Sequence, residues 1–131
     1  MGRWSDAGRY SEFELWKEYL IGKRGVYEWG YVRVDRDHPG HNLFFPKYIG
    51  KAAVCLYTRM KAYQSESTCH LPEIARRIGA ERNHLWFHVQ QSDNPALTES
   101  LLLWRHGYFR NDGLYEWNRR DERRPRTAHP P

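Results

Sequence analysis

No stretch of this sequence approaches the roughly 18–20 consecutive apolar residues that a membrane-spanning helix needs. The opening residues, MGRWSDAGRYSEFELW, lack the basic start, apolar middle and small-residue cleavage site of a secretory signal, so a cytoplasmic protein is expected. Cysteine is scarce: Cys55 and Cys69 are the only two, too few for a disulfide-stapled scaffold and ordinary for a reducing compartment. With His70 beside Cys69 they still lack the paired spacing of a zinc site. No internal repeat is present, which sets aside solenoids and propellers.

Aromatics are plentiful by contrast. Of 131 residues, 40% are hydrophobic and 15% aromatic, with six Trp and nine Tyr, enough to bury a core and too apolar for a disordered chain. Lysine and arginine exceed aspartate and glutamate by 21 to 16, a net charge of +5 that favours a polyanionic partner. The segment 119–131 has five arginines against two acids, a net +3, which leaves +2 for residues 1–118. That segment has almost no apolar residues and reads as a solvated tail, with phosphate contact as a second role. Three parts are expected: an N-terminal helical arm over 1–24, a core over 25–118 and the basic tail over 119–131.

Ser11 and Glu14 have the S-x-x-E spacing of a capping box, with Tyr10 and Leu15 placed as its hydrophobic staple. Phe13, Trp16 and Leu20 follow at helical spacing. GVYEWGYVRV (25–34) is rich in β-branched and aromatic residues and reads as a strand, and LFFPKYI (43–49) as its hairpin partner. Pro46 marks an edge strand or a bulge. DRDHPGHN (35–42) joins them, and its Asp35, Asp37, His38 and His41 are better explained as turn formers than as metal ligands. Helices are expected over 54–64 and 72–78, and a third strand over 84–90, where His84 and His88 would share a sheet face. Asn94-Pro95 has the form of an N-cap with proline at the first helical position, opening a helix that should stop before Gly107. The fold class predicted is α/β: a small, mostly antiparallel sheet flanked by helices.

Two strand segments carry similar tripeptides, Gly25-Val26-Tyr27 and Tyr48-Ile49-Gly50. Lys51 follows the second, then Arg59 and Tyr63 at i and i+4 on a helix, Glu99 on a later helix beside Leu102 and Leu103, and Asn111 beyond it. In this order the residues resemble the GIY-YIG nuclease family over roughly Gly25 to Asn118, most specifically in YIGKAAVCLYTRMKAY and ALTESLLLWRHGYFRN. The resemblance implies a GIY-YIG-like fold and a metal-dependent endonuclease that hydrolyses phosphodiester bonds, with DNA the expected substrate.

Phosphodiester cleavage requires a deprotonated water, stabilised phosphate charge and a neutralised leaving oxygen. Under the resemblance Glu99 would hold one Mg²⁺ (or Mn²⁺), a hard cation that takes few ligands from protein. Arg59 would clasp the phosphate with its planar fork. Tyr27 is the first choice as general base and Tyr48 the rival, with Lys51, or more weakly Lys47, supplying the cation a phenolate needs. Tyr63 would complete the helix face, and Asn111 would support the phosphate or the local backbone; Asn118 is a second asparagine in that region. The alternative is a catalytically inactive nucleic-acid-binding module on the same scaffold. Cutting both strands with one site per chain would call for a homodimer.

Overall fold

Strand β2 (Gly25–Val34) lies at the centre of the sheet because it pairs on both sides. β3 (Asn42–Ala52) returns antiparallel to it from the hairpin, and β4 (Trp86–Gln91) pairs antiparallel with its other edge. A two-residue strand β1 (Gly8–Arg9) adds to β4, giving the order β1-β4-β2-β3. The computed structural model describes residues 2–38, 40, 42–109 and 114–118. Asn111, His41 and the tail 119–131 therefore lie outside the described residues.

Alternation along β2 sorts its side chains onto two covered faces. Tyr27 and Trp29 enter a core with Tyr48, Phe87, Val89 and residues of α2 (Leu56–Lys61), the 3₁₀ turn Ala62–Gln64 and α3 (Pro72–Glu81). Val26 packs on the other face with Ile49, Leu102, Leu103 and Tyr115, beneath α4 (Pro95–Leu103). The first six residues of β2 are consequently all buried, although an open antiparallel strand would bury every second one.

Pro46 meets both of its expected roles. β3 is an edge strand, so the missing proline N–H costs no ladder bond, and the register slips at the same place. Trp29 opposes Tyr48 while Gly30 opposes Pro46, leaving Lys47 as the extra residue of a bulge. The slip changes the parity of β3, so Phe44 and Ile49 face the same layer as Val26 and Glu28.

Several local expectations are corrected. Ser11 caps nothing: the N-terminal segment is a 3₁₀ helix, Tyr10–Trp16, running into a short α1 (Lys17–Leu20), and the residue at its N-cap, Arg9, makes no side-chain cap bond. Glu14 accepts instead from Tyr57 Oη at 2.7 Å and Lys61 Nζ at 2.8 Å, a tertiary pairing that outweighs the local box. Leu15 is exposed and staples nothing, whereas Phe13 and Leu20 join the main core. The last helix does not stop before Gly107: α4 passes into a π turn, Trp104–Phe109. β4 starts only at Trp86, which leaves His84 exposed in the preceding turn and separates it from buried His88. Asn94 behaves as expected, accepting from Leu97 N–H at 3.2 Å. In the hairpin loop Asp35 accepts from its own backbone two residues on, at 3.0 Å, and contacts His38, as a turn former does. No helix among the described residues is long and apolar enough to cross a membrane.

Candidate active site

Both tripeptide glycines stand where a side chain would not fit. A Cβ on Gly50 would collide with the phenol ring of Tyr27, which lies across it from the paired strand, and a Cβ on Gly25 would strike the Gln90 carbonyl of β4. Gly50 opposes Tyr27 in the register, so the small residue of one motif makes room for the tyrosine of the other.

Tyr27, passing over Gly50, meets Tyr63 from the end of the α2 segment, hydroxyl to hydroxyl at 2.7 Å. Tyr63 also shares a hydrogen bond with Tyr48, and the Tyr48 and Tyr63 rings lie edge to face at 6.1 Å. The result is a chain of three phenols, Tyr27–Tyr63–Tyr48, each 5% exposed or less. Burial dominates their chemistry. It pushes Tyr27 well above the usual tyrosine range, reinforced by neighbouring Tyr48 and by Glu99; the hydrogen bond with Tyr63 and the Arg59 cation oppose it without prevailing. Burial likewise raises Tyr63, and Tyr27 adds to the effect.

Lys51 does not serve Tyr27. It opposes Val26 in the register and so stands on the α4 side of the sheet, where its ammonium lies 3.2 Å from Glu99 Oε1. The expected Lys51–Tyr27 activation is corrected on that ground, and the cation that acts on Tyr27 is Arg59. Lys47, the weaker candidate, reaches Glu116 at 3.5 Å and the Tyr31 ring at 6.0 Å. Tyr27 is fully buried, and its hydroxyl is hydrogen-bonded to that of Tyr63.

Glu99 is 7% exposed, on the buried edge of α4 next to Leu102 and Leu103, as its spacing suggested. Its carboxylate is paired with the Lys51 ammonium. Arg59 is half-buried, and no carboxylate pairs with it among the described residues. Its Nη1 lies 3.3 Å from Nε2 of His70. His70 also packs edge-on against Tyr63, with centroids 6.0 Å apart. Arg59 and Glu99 thus both lie within electrostatic reach of the Tyr27 phenol, and Arg59 and Lys51 within reach of the His70 imidazole. Tyr27, Tyr48 and Tyr63 are therefore grouped on one face of the sheet, with Arg59 on the adjoining helix, while Lys51 and Glu99 are paired on the α4 side. Beside them Arg59, His70, Thr58 and Thr68 line a cleft of about 380 Å³.

Asn111 lies outside the described residues, and Asn118 supports the local backbone of β3. Its side chain accepts from Ile49 N–H at 2.8 Å and donates to Ile49 C=O at 2.9 Å, satisfying the outward backbone groups of the middle residue of Tyr48-Ile49-Gly50 on the edge strand. His70 was missed in the sequence as a site residue. It follows Arg59 by eleven positions in a polar loop, with no periodicity that would assign it a face.

Among the described residues no group of three or more His, Cys, Asp or Glu side chains is arranged to hold a metal. What remains is a single carboxylate, which suits an Mg²⁺ that keeps most of its waters and takes further oxygens from a phosphate.

On the α4 side of the sheet a further polar group is buried. Glu28 accepts from Tyr115 Oη and lies 2.6 Å from His88 Nε2, while the His88 ring is stacked between Trp4 and Phe44, each at a centroid distance of 4.0 Å. Closed off by aromatic rings, it reads as a tie between the sheet and the 114–118 segment.

The chain matches no family model, no curated protein and no solved structure.

Proposed function

We propose that this chain is a metal-dependent endonuclease of the GIY-YIG type that hydrolyses phosphodiester bonds in DNA. The observation that carries the reading is Arg59: a half-buried guanidinium without a carboxylate partner among the described residues, beside the tyrosine chain and the Lys51–Glu99 pair. Keeping an arginine partly desolvated without a counterion is costly unless an anion binds there at work. A phosphodiester is the anion its fork fits best, through two parallel N–H···O bonds. The net charge of +5 supports the same class of partner.

In this reading Arg59 holds a non-bridging oxygen of the scissile phosphate and offsets the charge that grows on it. Glu99 would hold one Mg²⁺ or Mn²⁺, which supplies Lewis-acid charge and acidifies water. Lys51 holds the Glu99 carboxylate in place through its contact at 3.2 Å. Tyr63 and Tyr27 stay neutral and act as hydrogen-bonding supports for the helix that carries Arg59, and Tyr48 extends that network.

The inactive DNA-binding module is favoured by one specific observation, that Lys51 already occupies Oε1 of Glu99. Supercoiled plasmid incubated with the chain, with Mg²⁺ or with a chelator, separates the readings when Glu99→Gln is run beside it. Metal-dependent nicking that Glu99→Gln abolishes supports the enzyme. Unchanged plasmid together with salt-sensitive DNA binding supports the module.

A further inference from the structure

We propose that His70 is the general base of this site, held in reserve by Arg59 until a phosphate arrives. The proposal rests on the nuclease reading above. Guanidinium nitrogens only donate, so the 3.3 Å contact from Arg59 Nη1 makes His70 Nε2 the acceptor and places the ring proton on Nδ1. The imidazole is thus neutral, with one basic lone pair, in the cleft that Arg59 also lines. Every group facing it acts in the same direction. His70 is exposed on its outer side, and the partial desolvation of its ring lowers its pKa below the ordinary histidine value of 6.5, with Arg59 from α2 and Lys51 from β3 lowering it further; Tyr63, packed on its ring, is neutral. At neutral pH His70 is therefore an available acceptor, whereas Tyr27 and Tyr63 are locked as buried phenols and Lys51 is engaged with Glu99.

Arg59 then acts as the latch. A phosphate oxygen competes well for its N–H groups, because the anion adds charge attraction and accepts two parallel N–H bonds from the fork, whereas the neutral imidazole accepts one. When Nη1 turns to the phosphate it releases Nε2 beside the phosphorus it has just positioned. Nε2 takes a proton from a water molecule as that water's oxygen bonds to phosphorus. The bond from phosphorus to the leaving sugar oxygen breaks, that oxygen takes a proton from solvent, and the imidazolium returns its own proton to solvent.

The test uses the full chain, supercoiled plasmid and Mg²⁺, with single-turnover nicking rates from pH 5 to 9. His70→Gln and His70→Ala should each lose about 10²–10⁴-fold, the usual contribution of general-base catalysis, while binding plasmid normally. Free imidazole should restore part of the His70→Ala rate, which a purely structural histidine would not allow. The wild-type rate should rise with pH along a limb that both variants lack. Independently of activity, the His70 ring signals of the wild type should titrate below 6.5 in an NMR series, and Arg59→Met should move that midpoint upward. Near wild-type rates in both variants overturn the proposal, as does a lost rate without imidazole rescue, or a His70 midpoint unmoved by Arg59→Met. A wild type that never nicks removes the nuclease reading, and the base with it, whereas an active wild type with active variants removes the base alone.

Discussion

The hydroxyls of Tyr27 and Tyr63 lie 2.7 Å apart, and both rings are at most 1% exposed. A central strand and the turn after α2 are joined there by two groups that have no water to turn to, so each is satisfied largely by the other and, for Tyr63, by Tyr48. Removing either hydroxyl strands its partner. Tyr27→Phe and Tyr63→Phe should each lower stability by about 1–3 kcal/mol, and the double variant should lose clearly less than the sum. Urea unfolding of the four proteins measures the coupling; strictly additive losses would show that the hydroxyls do not interact.

Gly50→Ala should destabilise the chain by about 1–3 kcal/mol or more, because its Cβ meets the Tyr27 ring in a packed core. Tyr27→Leu in the same chain should recover part of that loss by withdrawing the ring. A wild-type unfolding midpoint for Gly50→Ala would mean that the Tyr27 ring does not cross that glycine.

The Glu28 carboxylate is 3% exposed and depends on His88 and Tyr115. His88→Leu leaves that charge buried with half its support and should cost about 3–5 kcal/mol in urea unfolding. Adding Glu28→Gln should give part of it back, since a neutral amide is less costly to bury. If the second substitution makes matters worse, the group is held by something other than charge.

Alkaline pH should unfold the protein through its tyrosines. Burial and the hydrogen bond to Glu81 push Tyr31 up to about 12, and burial raises Tyr10, Tyr27 and Tyr63 as well. Unfolded tyrosines ionise near 10, so above that pH the unfolded chain binds fewer protons than the folded one and stability falls as pH rises. This stabilisation is complete below pH 10 and, for Tyr31, is lost as pH rises through about 12. Urea midpoints at pH 9 and pH 11 should differ, and Tyr31→Phe should narrow the difference; equal midpoints would contradict the raised values.

Arg59→Lys should lose roughly 10²-fold or more in plasmid nicking while leaving the unfolding midpoint nearly unchanged. The ammonium keeps the charge but not the planar fork, and an arginine without a carboxylate partner among the described residues has little ion-pair stability to lose. A rate close to wild type would show that Arg59 supplies only general positive charge.

Much of the fold was legible in local chemistry. Alternating β-branched and aromatic residues marked Gly25–Val34, Pro46 marked an edge and a bulge, and Asn94-Pro95 marked a helix start whose cap bond forms. These signals are local, and nothing distant overrides them. Ser11 and Glu14 show the contrary case: a capping box competes with Tyr57 and Lys61, and the tertiary partners win. The site divides in the same way. The resemblance singled out Tyr27, Tyr48, Arg59, Tyr63 and Glu99; the fold packs the three tyrosines together on one face of the sheet and pairs Glu99 with Lys51 on the other. Which group serves which was decided by the tertiary structure. Lys51 opposes Val26, so strand alternation turns it toward α4 and Glu99 and away from the Tyr27 phenol. Burial, which no spacing reveals, raises the pKa of Tyr27 and Tyr63. His70 reaches Arg59 through a loop whose path depends on where α2 and α3 pack, so its place in the site exists only in the folded chain.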